Sequence, residues 1–164
     1  MVKVTRRRNF MPIDIGLTEA ERQSSVDALK KLLGETYALY AKTHGYHWNV
    51  TGPRFQALHT MFETQYNDLW ASLDEIAERI RALGHFAPGS PGEMMDLASI
   101  KPDNGIPDAN DMVANLVKGH EAISRVAKQG LKVAEESGDA VTADLFTQRA
   151  QIAEKTAWML RASI

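Results

Sequence analysis

The chain is 164 residues long, 44% hydrophobic and 24% charged, the proportions of a single soluble domain with a full core. It has no cysteine, which excludes disulfides and confines any metal site to His, Asp and Glu, ligands for hard and borderline cations. A formal net charge of -2 excludes a surface that is basic all over and leaves only a local segment for contact with nucleic acid.

Lys3, Arg6, Arg7 and Arg8 form such a segment, a basic tail within residues 1–17 ahead of a domain at 18–164. Asp14 and Glu19 follow closely and interrupt the basic patch. Pro12 and Asp14 stand where a signal peptide would carry its apolar run, and no stretch of about 18 apolar residues occurs anywhere. The expectation is a cytoplasmic or nucleoid-associated protein without a membrane span.

Thr18 followed three residues later by Glu21 is a capping box, in which each side chain satisfies the other residue's free backbone donor at a helix start. Val26, Leu29, Leu32, Leu33, Thr36, Tyr37 and Tyr40 then recur at helical spacing, which predicts a first helix to about His47 or Trp48. Gly52-Pro53 is turn chemistry. A second helix of about 30 residues, roughly 45 Å long, follows with Phe55, Leu58, Phe62, Leu69, Leu73, Ile76, Ile80 and Leu83 on a broad apolar face and Gly84 as its stop. From His85 to Pro107, Pro88, Pro91, Pro102 and Pro107 mark a connection with room for one short helix around Glu93 to Ser99. A third helix runs from about Asp108 through Met112, Leu116, Ile123, Val126 and Val133 to Ser137-Gly138; Asp139 caps a fourth through Leu145, Ile152 and Trp158. Two helix pairs joined by one long crossover predict an all-α, ferritin-like four-helix bundle rather than the simple up-down form.

His47, His59, Glu63, Asp74 and Glu78 interrupt the strongest apolar periodicity. His59 and Glu63 lie one turn apart on one face, and so do Asp74 and Glu78. The fifteen residues between the pairs set them roughly 60° apart in angle and about 22 Å apart along the axis, too far to share one ion. A bundle that closes a two-metal site within one subunit uses Glu-x-x-His on two helices, and none of the five histidines has Glu three residues before it. A symmetric arrangement remains. If the second helix packs antiparallel on its copy about a two-fold axis near Asp68, the His59/Glu63 pair of one chain approaches Asp74/Glu78 of the other, and His47 completes each site. The simpler alternative is a solvated helix face, as Glu75 and Arg79 read as an exposed pair one turn apart.

The run His47-Trp48-Asn49-Val50-Thr51-Gly52-Pro53, with Phe55, His59, Phe62 and Asp74-Glu75-Ile76-Ala77-Glu78-Arg79, resembles the signature of the Dps family, DNA-binding proteins from starved cells. The resemblance extends in helix lengths and connections from about residue 18 to the C-terminus. It implies a homo-dodecameric hollow shell with ferroxidase centres shared between two-fold-related subunits, each taking two Fe(II) as substrate. It assigns the metal ligands to His47, His59, Asp74 and Glu78, with Glu63 where the family more often has Asp. Trp48 resembles the tryptophan beside that centre, placed to intercept oxidising radicals; filling the dimer contact is its alternative role. Hydrogen peroxide is the oxidant the resemblance implies, with ferric mineral stored inside and protection from oxidative damage as the result. Asp139 and Asp144, near Glu135 and Glu136, fall where the family forms three-fold pores, with helix capping as the alternative for Asp139. The basic tail has a counterpart in members that bind DNA. A competing reading is a nucleoid-compacting DNA-binding protein with little ferroxidase activity.

Overall fold

The computed structural model describes residues 11–164, so Lys3, Arg6, Arg7 and Arg8 lie outside the described residues. Five helices follow one another: α1 (Glu19–Asn49), α2 (Phe55–Ala82), α3 (Pro91–Leu97), α4 (Ala109–Glu136) and α5 (Ala140–Arg161). The fold is all-α, a four-helix bundle of α1, α2, α4 and α5 with the short α3 in the crossover.

The predicted starts and stops are those observed, with their hydrogen bonds. Thr18 and Glu21 form the capping box, Asp108 accepts from Asp111 N at 2.9 Å to cap α4, and Asp139 accepts from Thr142 N at 3.0 Å to cap α5. Gly84, at φ +92°, ends α2 in the left-handed conformation that favours glycine, and His85 N donates back to Ile80 O at 3.2 Å. The crossover helix begins two residues before the expected Glu93: Ser90 and Glu93 make a second capping box and Pro91 occupies the first turn.

α1 packs against α2, α3 and α4, and α5 packs mainly against α4. Leu29, Leu32, Leu33, Leu58, Phe62, Leu69, Ile76, Ile80, Leu116, Ile123 and Phe146 are fully or almost fully buried. At about 1.5–3 kcal/mol for each large apolar side chain, this cluster is the main favourable term in the fold. The crossover is held on α1 by a buried carboxylate and a close approach. Glu35 accepts from Ser99 N at 2.8 Å and Ile100 N at 3.1 Å, while a Cβ at Gly34 would stand 2.6 Å from Leu97 Cβ and 2.8 Å from Met94 O.

Three packing expectations are corrected. Phe55 and Trp158 are 42% and 60% exposed, and the buried face of α5 is a small-residue stripe of Ala143, Ala150, Ala153 and Ala157 with Phe146 and Leu160. Arg79 is no solvated partner of Glu75. It crosses to the start of α5, where Nη2 lies 2.7 Å from Asp139 Oδ1 and Nε donates to Thr142 Oγ1 at 2.8 Å.

Candidate metal centre

The turn at residues 50–54 reverses the chain so that the last turn of α1 lies beside the first turns of α2. His47 and His59 meet there with ring centroids 3.8 Å apart and planes 18° from parallel. His47 Nδ1 is 2.8 Å from the backbone oxygen of His59, and His59 Nδ1 is 2.8 Å from the backbone oxygen of His47. A carbonyl can only accept, so in each contact Nδ1 carries the proton and donates. The other nitrogen, Nε2, is thereby left with its lone pair on both rings, the tautomer a metal ligand requires. Helix geometry supplies one of the acceptors, since His47 O belongs to the last turn of α1, where carbonyls have no partner within the helix.

Glu63, Asp74 and Glu78 are exposed. Among the described residues no carboxylate joins the histidine pair in a group of three or more metal-ligand side chains. The structure therefore brings His47 and His59 together, leaves Asp74 and Glu78 further along α2, and closes no complete centre within one chain.

Rings surround the histidine pair. His44 stacks on Tyr66 with centroids 4.0 Å apart and planes at 18°, and Tyr66 is 5.2 Å from His47. Trp48 is 66% exposed with its ring 4.3 Å from His44. The Tyr40 hydroxyl is 3.2 Å from His44 Nδ1, and Tyr40 also lies 5.3 Å from Trp70, itself 59% exposed. Burial, helped by neighbouring His47, lowers the pKa of His44 below the ordinary imidazole value. These neighbours were legible in part. His44, His47 and Trp48 recur at three and four residues, and His59, Glu63, Tyr66, Trp70 and Asp74 follow one stripe of α2.

The pore expectation divides. Asp144 is exposed and accepts from Gln148 Nε2 at 2.6 Å. Asp139 is 2% exposed, with its oxygens taken by Thr142 and Arg79, so it is a helix cap and ion-pair partner and is withdrawn from any pore. Burial opposes its ionisation, but the Thr142 hydrogen bonds and the Arg79 guanidinium outweigh that and hold its carboxyl below the usual range.

The pattern of the ferritin-like domain matches residues 26–164. DNA protection during starvation protein 2 of Bacillus anthracis is 36% identical over 137 residues, covering 84% of this chain and 94% of its own length. The chain belongs to the Dps family of ferritin-like proteins. An uncharacterized low temperature-induced protein of Nostoc is 41% identical over 154 residues, covering 93% of this chain and 86% of that one. Among solved structures, the Dps protein from Vibrio cholerae O1, described as a member of a broad superfamily of ferritin-like diiron-carboxylate proteins, superposes with a TM-score of 0.87 at 34% identity, covering 94% of this chain and 98% of its own. DpsC from Streptomyces coelicolor superposes with a TM-score of 0.89 at 27% identity, covering 93% of this chain and 90% of its own. No helix among the described residues is long and apolar enough to cross a membrane.

Proposed function

We propose that this chain is an iron-storing ferroxidase: two-fold-related subunits each contribute half of a two-iron centre, and twelve copies enclose the ferric product. The observation that carries the reading is the reciprocal Nδ1–carbonyl clamp of His47 and His59, which leaves both Nε2 atoms free as ligands. Asp74 and Glu78, on the same helix as His59 and without a side-chain partner among the described residues, supply the carboxylates of the other half, and Glu63 stands one turn beyond His59. The donor set fits the substrate, because imidazole suits Fe(II) and carboxylates stabilise Fe(III). Exposed Trp48, Phe55 and Trp70 form an apolar surround that a second copy of α1 and α2 would cover.

Two Fe(II) give one electron each to hydrogen peroxide, whose O–O bond breaks to oxygen at the oxidation level of water. Two water molecules enter, two FeOOH form and four protons leave, so no one-electron fragment is released. Trp48, at the rim, is the residue that a stray oxidising radical meets first. Exposed Asp144 is the pore carboxylate that draws Fe(II) inward. The tail of Lys3, Arg6, Arg7 and Arg8 adds electrostatic attachment to DNA, multiplied by the number of copies on the shell; its mark is salt-sensitive retardation of DNA that disappears when residues 1–9 are removed.

The deciding experiment loads purified protein with Fe(II) under anaerobic conditions and adds a peroxide pulse, with oxidation followed by absorbance and particle size in parallel. Fast oxidation to soluble mineral in a twelve-subunit particle, slowed by Asp74→Ala, is the expected result. Oxidation no faster than in buffer, from a correctly assembled shell, overturns the reading and favours DNA compaction as the main role.

A further inference from the structure

α2 and α5 make little direct contact. The groove between them opens into a cavity of about 500 Å³ lined by Thr60, Thr64, Gln65 and Asp68 of α2, His120 of α4, and Lys155 of α5, with apolar walls between. This cavity shares no residue with the His47/His59 centre. At its floor lies an imidazole that the fold does not explain: His120 is 3% exposed and, among the described residues, neither ring nitrogen has a hydrogen-bond partner, and neither does Gln65 Oε1, also buried. Two orphaned polar groups cost free energy in a bundle core unless something binds them, and apolar residues of similar size would remove that cost.

We infer that this floor is a binding site for a single divalent transition-metal cation, with His120 as the anchoring ligand, the Gln65 amide oxygen as a second and the Asp68 carboxylate as a third. Of the three orphaned atoms, Gln65 Oε1 and the unprotonated ring nitrogen of His120 act as electron-pair donors. Burial pushes the His120 imidazole down to about 4, so at neutral pH it presents a lone pair with no proton to displace. Asp68 acts in the opposite sense to that burial, favouring positive charge at the ring, which places a compensating anion within electrostatic reach. Arg149 bonds Oδ2 of Asp68 at 2.9 Å, and among the described residues Oδ1 has no partner and remains for a cation. Arg149, paired with Asp68, opposes positive charge at the ring, but less strongly than Asp68 favours it, and exposed Lys155 keeps its ammonium in water. One imidazole with oxygen ligands and room for water selects zinc-, cobalt- and iron-like ions over magnesium or calcium.

The test uses Co(II), whose visible spectrum and paramagnetically shifted imidazole resonances report His ligation directly. It is made on the assembled His47→Ala/His59→Ala/Asp74→Ala protein, from which both imidazoles and one carboxylate of the two-fold centre have been removed. One Co(II) per chain with a single imidazole ligand is expected to remain, its affinity falling more than about tenfold on adding His120→Leu and also falling on adding Gln65→Leu, a substitution that leaves the imidazole in place should His120→Leu fail to assemble. Absence of Co(II) from the background protein, or retention unchanged by both substitutions, overturns the inference and leaves ordered water as the partner of His120. The result is independent of ferroxidation, since a wild-type shell that oxidises no iron leaves the Co(II) count of the background protein untouched.

Discussion

Glu35 and Asp139 are buried and each has its oxygens taken by the fold, whereas Glu63, Asp74 and Glu78 stand exposed on α2 with no side-chain partner among the described residues. In composition the two sets are alike, and all five lie on or beside long amphipathic helices. What separates them is what waits at the end of the side chain. Glu35 meets two backbone donors of the crossover and Asp139 meets the start of α5 and a guanidinium, so their oxygens are satisfied within the subunit. The carboxylates of α2 are left unneutralised, which costs little in water and leaves them free for a cation.

The sharpest way to break this contrast is Asp139→Ala. It removes the cap of α5 and strands Arg79, whose side chain is only 15% exposed, so subunit stability should fall by about 3 kcal/mol, read as a lower urea midpoint. The pH dependence has a definite sign. With the folded-state carboxyl held below its ordinary value, the stabilisation is complete above the unfolded-state value and is lost as pH falls through the folded one. The acid limb of the stability curve should therefore flatten in the variant, and an unchanged limb would mean that another carboxylate governs it.

His59→Ala is the opposite case. Peroxide-driven Fe(II) oxidation should slow about 100-fold, at least the loss that follows when even an outer partner of a metal ligand is removed. Stability should fall by only about 1 kcal/mol for the lost Nδ1–carbonyl hydrogen bond, with the particle still assembled. Disassembly would identify the histidine clamp as a structural joint instead. Gly34→Ala is a smaller probe of the crossover that Glu35 anchors. A methyl group there meets the Met94 backbone oxygen, which cannot rotate away, and the resulting overpacking of about 1–3 kcal/mol exceeds the gain of roughly 1 kcal/mol in helix propensity. A net loss of about 1 kcal/mol in thermal or urea unfolding is expected.

The helix starts at Thr18, Asp108 and Asp139 were legible because capping is local chemistry, with donor and acceptor three residues apart. The same signal at Ser90 and Glu93 marks the start of α3 at Pro91, two residues before the short helix expected around Glu93 to Ser99. Side chains that act across helices were not legible. Nothing local distinguishes Arg79 paired with Glu75 from Arg79 reaching sixty residues onward to Asp139. The small-residue face of α5 was not legible for a related reason: Trp158 is the largest apolar residue of the helix, while its buried face is mostly alanine, with Phe146 against Gly130 of α4. At the candidate metal centre, residue types and spacings pointed to the histidine pair, but the clamp that fixes both tautomers depends on two backbone carbonyls, which no side-chain pattern encodes.

Glu63 gives the smallest and most discriminating test. It is the position where the resemblance implies Asp and this chain carries one methylene more, and it is exposed with no side-chain partner among the described residues. Two properties of the residue, charge and reach, can be separated. Glu63→Gln keeps the reach and removes the charge; Glu63→Asp keeps the charge and draws the oxygens back toward the helix. Neither touches the core, so both should leave stability within about 0.5 kcal/mol. If the two-fold centre has settled around the longer side chain, Glu63→Asp slows oxidation by about two- to tenfold and Glu63→Gln slows it more, because a ferric product needs the anion more than it needs the last ångström of approach. Faster oxidation in Glu63→Asp would mean that the shorter residue fits the iron better, and that the extra methylene tunes the site toward slower turnover or another metal.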